Sequence, residues 1–136
     1  MNFYKEYILT EIDDIKVAVA GVMSGIERHM ALSEARKYEI KLVMNELLVN
    51  CFDHADISGK KTVVLGVYIK ENKVRIRVKD NGKGFEYEYT HRSLKSPINE
   101  KRLYAEGGRG LMLVDAFCDT VQYFGNGNSV EVSIAL

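Results

Sequence analysis

Equal numbers of basic and acidic side chains, 19 each in 136 residues, leave no bulk charge to draw this chain to nucleic acid or an anionic membrane. A hydrophobic fraction of 46% is enough for one packed core in a single domain, residues 1–136. No stretch approaches the roughly eighteen apolar residues of a membrane helix, and Cys51 and Cys118 sit outside any CxxC pair in apolar helical contexts. These observations exclude a membrane span, a disulfide framework and a zinc site, and they fit a reducing cytoplasm.

In chain order, Phe3 to Leu9 reads as a first strand at a sheet edge. Thr10, with Asp13 following, reads as a helix start. Ile12, Ile15, Val19, Val22, Ile26 and Met30 then recur at helical spacing. Gly21 and Gly25 inside this helix cost stability relative to alanine, which implies close packing against a neighbour. Ser33 suits the N-cap of a second, longer helix ending near Ala55. Its apolar stripe is Ile40, Val43, Met44, Leu47, Leu48 and Cys51. Glu46 and Asn50 lie four apart at the border of that stripe, with Asp53 and His54 a turn further on. A carboxylate and a carboxamide beside a core stripe are expensive unless each has a partner, so this pair reads as functional rather than as a polar flank.

Thr62 to Lys70 reads as a strand with Val63, Leu65, Val67 and Ile69 on one side. Glu71-Asn72 is a turn. Lys73 to Lys79 then alternates strictly, with Val74, Ile76 and Val78 inward and a basic, solvated face of Lys73, Arg75, Arg77 and Lys79 outward. Residues 86–106 are polar, mixed in charge and long enough to suggest a lid. Leu111 to Phe117 reads as a short helix. Asp119–Phe124 and Ser129–Leu136 read as strands joined by a Gly125-Asn126-Gly127-Asn128 hairpin turn. Short turns between consecutive strands predict an α+β two-layer sandwich: a mixed, largely antiparallel sheet with helices on one face. A P-loop is absent, and so is a GxGxxG between a first strand and first helix.

Asp80 stands at a strand end, where its carboxylate could accept a hydrogen bond from a base amino group. Gly82 and Gly84 follow, and without Cβ atoms they let the backbone turn against a flat ring. Gly107, Gly108 and Gly110 allow close approach to phosphates at a helix N-terminus, which favours anions, and Arg109 could add a charge there. Asn50 offers a neutral oxygen suited to Mg²⁺, and Glu46 could hold a bound water or take a proton from an attacking hydroxyl. Each signal alone is weak. Their joint order and spacing point to a nucleotide site.

Glu46-x-x-x-Asn50, Asp80-x-Gly82-x-Gly84 and Gly108-x-Gly110-Leu111 resemble the N, G1 and G2 boxes of the Bergerat-fold (GHKL) ATPases, over almost the whole chain. Within that superfamily, Asn50-Cys51-Phe52-Asp53-His54-Ala55 is similar to the N box of the bacterial anti-sigma-factor serine kinases, with Cys51 where a small residue is common. The resemblance implies the Bergerat ATP-binding fold, ATP and Mg²⁺ as ligands, and a mobile lid. It implies Glu46 as catalytic base, Asn50 as Mg²⁺ ligand, and Asp80 on the adenine amino group with Gly82 and Gly84 beside the base. Gly108, Arg109 and Gly110 would contact phosphates. The implied activity is phosphorylation of a serine on a STAS-type anti-anti-sigma protein, with sequestration of a sigma factor in competition. A cytoplasmic homodimer is the usual state of such proteins.

Two other readings share the motifs. One is a nucleotide-switched binding module without phosphotransfer, which would not need Glu46. The other is a histidine-kinase catalytic domain acting in trans. For the latter, His29 lacks the usual following acid and His54 lies inside the N box. Gyrase-like and MutL-like readings require a transducer domain that this chain is too short to hold.

Overall fold

The computed structural model of the chain describes residues 3–53, 61–81, 108–124 and 129–136, with the backbone alone at 53 and 108–112. Apolar alternation builds five strands: β1 (Phe3–Leu9), β2 (Val63–Lys70), β3 (Lys73–Asp80), β4 (Thr120–Phe124) and β5 (Ser129–Ala135). They form one sheet in the order β1-β2-β3-β5-β4, so β5 inserts between β3 and the edge strand β4. All four described pairings are antiparallel. The registers Val67↔Ile76 and Ile76↔Val132 place the β-branched residues of β2, β3 and β5 on one face. That face is buried and packs into one core with the apolar stripes of the helices.

Three described helices cover it: α1 (Asp14–His29), α2 (Glu34–Asp53) and α3 (Gly108–Phe117). The α2 stripe of Ile40, Val43, Met44, Leu47, Leu48 and Cys51 is wholly buried. Ser33 caps α2 as its sequence suggests, its Oγ accepting from the Arg36 amide at 3.1 Å. The expected close packing of α1 also holds. A Cβ built on Gly25 would come within 2.8 Å of the Phe3 ring, and one on Gly21 within 2.1 Å of the Tyr7 hydroxyl.

Helix starts depart from the sequence reading. Thr10 does not open α1, which begins at Asp14 after a turn in which the Asp14 amide bonds the Glu11 carbonyl. The Asp14 carboxylate reaches back instead, accepting from the amides of Thr10 at 3.0 Å and Glu11 at 3.1 Å. The Thr10 bond, and then the Glu11 bond, hold its carboxyl below the usual carboxylate range. Ile12, placed before the helix rather than on its inner stripe, is exposed. α3 begins at Gly108 rather than Leu111, so the glycines belong to its first turn. Glu71 and Asn72 form the β2–β3 turn with φ of 53° and 65°, values that a tight two-residue hairpin demands. The proposed hairpin turn 125–128 and the expected end of α2 at Ala55 lie outside the described residues.

Candidate functional site

Two of the polar residues that the sequence singles out, Asn50 and Asp80, lie in the last turn of α2 and at the end of β3, elements that are in contact. Asn50 and Asp80 are buried, with 6% and 7% of their surface exposed. They are the only buried amide and carboxylate residues among the described core positions, which are otherwise apolar or hydroxyl-bearing. Asn50 Nδ2 is buried without a hydrogen-bond partner among the described residues. An orphaned donor in a core costs about 1–3 kcal/mol, so its retention suits a group awaiting a ligand. Glu46 lies one helical turn earlier on α2 and is half-buried.

Asp80 is held from two sides. The Cys51 thiol of α2 donates a hydrogen bond to its carboxylate. Lys61 Nζ lies 3.9 Å from Asp80 Oδ1, and both side chains are 8% exposed. Burial first, and then the Asp80 charge and hydrogen bond, push the Cys51 thiol far above its usual value, while Lys61 opposes the rise. Cys51 is therefore a neutral donor that orients Asp80. Next to it, the Asn81 amide bonds the Thr62 carbonyl at 3.2 Å and the Thr62 amide bonds Asn81 Oδ1 at 3.1 Å, which clamps the mouth of the hairpin.

Sequence reasoning missed Lys61 and read Cys51 as core filling. The signal for Lys61 was present. A two-residue turn at Glu71-Asn72 pairs Lys70 with Lys73 and hence Val63 with Asp80. Lys61, two residues before Val63, then falls on the same side of the sheet as Asp80. Of the other expected site residues, Gly108, Arg109, Gly110 and Leu111 form the first turn of α3, which packs on α2. Gly82, Gly84, Gly107, the 86–106 lid and His54 lie outside the described residues.

A family model described as the histidine kinase-like ATPase domain matches residues 10–134 of this chain. The chain belongs to the histidine kinase-like ATPase domain family. Among curated relatives of this ATPase-domain chain, the serine-protein kinase RsbW of Listeria innocua is 30% identical over 118 residues, covering 82% of this chain and 73% of the relative. The serine-protein kinase RsbW of Oceanobacillus iheyensis is 28% identical over 108 residues, covering 74% and 65%. That of Staphylococcus aureus strain Newman is 27% identical over 90 residues, covering 63% and 57%. The five-stranded sheet with helices on one face is consistent with the GHKL ATPase fold.

The described residues hold no cluster of three or more His, Cys, Asp or Glu able to bind a metal. A divalent cation here would need oxygens from a ligand and from water beside the single Asn50 carboxamide, a donor set that suits Mg²⁺. None of the described helices is long and apolar enough to cross a membrane.

Proposed function

We propose that the chain is an ATP-dependent protein-serine kinase and anti-sigma factor, a single domain with its lid at about 86–106. It phosphorylates a STAS-type anti-anti-sigma protein and sequesters a sigma factor in the cytoplasm. The family match and the relatives, themselves serine-protein kinases, support a kinase-type ATPase. The single observation that carries the reading is the burial of Asn50 and Asp80, an amide donor without a hydrogen-bond partner among the described residues on α2 and a carboxylate at the end of β3, in a mostly apolar core.

In this reading Asp80 accepts a hydrogen bond from the adenine amino group, with Gly82 and Gly84 beside the ring. Cys51 orients the Asp80 carboxylate by its hydrogen bond, and Lys61 supplies an ion-pair charge 3.9 Å away. The first turn of α3, with Gly108, Arg109, Gly110 and Leu111, and Gly107 before it, presents backbone amides to the phosphates. Asn50 would hold Mg²⁺ through its carboxamide oxygen, and the ion would supply charge neutralisation for phosphoryl transfer. Glu46 takes the proton from the attacking serine hydroxyl. Both partners compete for a chain that gains and loses nucleotide.

Intact-mass analysis of a candidate anti-anti-sigma protein, incubated with this chain and Mg·ATP, tests the reading. A gain of one phosphate that disappears with Glu46→Ala is expected. Absence of the gain, with ATP binding retained, would replace the kinase with a nucleotide-switched binding module.

A further inference from the structure

The face of the sheet that points away from the helices takes no part in the nucleotide site, yet it is not an ordinary mixed surface. Strand alternation places Lys73, Arg75, Arg77 and Lys79 of β3 there, with Lys70 of β2 directly opposite Lys73. The acids sharing this face are Glu6 of β1 and Glu131 of β5, the latter opposite Arg77. In a chain with 19 acids and 19 bases, cations outnumber carboxylates on this one surface.

The internal pairing leaves most of that charge open. The Glu131 carboxylate, 12% exposed, is shared between Arg77 Nε at 3.3 Å and Arg75 Nη1 at 3.9 Å. It also accepts from the Tyr68 hydroxyl at 3.1 Å. Lys70, Lys73 and Lys79 have no ion-pair partner among the described residues. Beside the row, Gly66 opposite Arg77 leaves a hollow of about 370 Å³ bordered by Tyr4, Glu6, Tyr68, Arg77, Lys79 and Glu131, which suits an uncharged side chain. A Cβ on Gly66 would meet nothing nearer than the Tyr4 hydroxyl at 3.6 Å, so the hollow is free space rather than a packing constraint.

We propose that this outer face docks an acidic segment of a protein partner, its carboxylates seated along the β3 row and one side chain in the Gly66 hollow. Alternate residues of β3 stand roughly 6.6–6.8 Å apart, the repeat of alternate acids on an extended peptide. Charge complementarity of this kind steers association and sets register. Single-stranded nucleic acid fits less well. Arg77 already covers the Phe124 ring with 5.0 Å between guanidinium and ring centre, which closes that ring face to a stacking base. An open aromatic platform, the usual anchor for bases, is therefore lost at Phe124.

The test is fluorescence anisotropy of a short labelled peptide of alternating Glu and Val, titrated with the full chain at low salt. Saturable binding that weakens with salt is expected. It should fall roughly tenfold or more in Lys73→Glu/Lys79→Glu, whose two lysines support no internal ion pair. A Lys73→Gln/Lys79→Gln variant serves if the reversal disturbs the circular dichroism melt, and ATP affinity should stay unchanged in either. The proposal is overturned by no binding to the wild type or by equal binding to the variants. Tighter binding of a single-stranded oligonucleotide or of anionic phosphatidylserine vesicles would overturn it as well.

Discussion

Asp80 gains its orientation from a neighbour that looks inert in sequence. Cys51 completes an apolar stripe, and its pattern alone says core; only the contact of α2 with the end of β3 turns it into a donor to Asp80. The same contact explains why Asn50, one position earlier, can be buried with an unpartnered amide group. One helix turn thus carries two buried side chains of different chemistry, an amide and a thiol. Because the thiolate is the reactive form, and burial beside Asp80 disfavours it, native Cys51 should resist alkylation at mildly alkaline pH and react once the chain is unfolded. Peptide mapping by mass spectrometry after iodoacetamide treatment checks this. Rapid modification of Cys51 in the folded protein would mean that the thiol is neither buried nor bonded to the carboxylate.

Elements were legible in the sequence wherever period and burial agree. The apolar alternation of β2, β3 and β5 placed these strands to within a residue, and Ser33 with the apolar stripe placed the start of α2. The starts of α1 and α3 were read less well, because a carboxylate reaching back from Asp14 competes with Thr10 as the first cap, and because glycines that suggest a turn are compatible with the first turn of α3. The glycines of α1 were read correctly as close-packing positions, and they carry a prediction. Gly25→Ala should gain up to about 1 kcal/mol in helix propensity. It should lose about 1–3 kcal/mol by driving a methyl group into the buried Phe3 ring, for a net loss of up to about 2 kcal/mol. Urea denaturation measures it, and Phe3→Leu in the same background should restore part of the loss. A stabilised Gly25→Ala would show that α1 does not sit tightly on β1.

At the scale of the molecule, the antiparallel sheet divides the chemistry into two sides. The helix-covered face ends in a cluster of Asn50, Cys51, Lys61 and Asp80, while the open face concentrates basic residues. The fold class was legible in the strand alternation, and Asn50 and Asp80 stood out as polar residues continuing apolar patterns that the structure buries. Lys61 was hidden because its role follows from strand register rather than from local sequence. Family membership makes the helix-covered side the expected place for ATP, and that expectation rests on Asp80. The decisive measurement is calorimetric titration of ATP into the wild-type chain and into Asp80→Asn. Binding to the wild type, weakened in the variant by about 1.5–3 kcal/mol, or roughly ten- to 150-fold, is the result expected from loss of a charge-assisted hydrogen bond. Equal affinities, or no binding to the wild type, would contradict the assignment of this cluster as the nucleotide site.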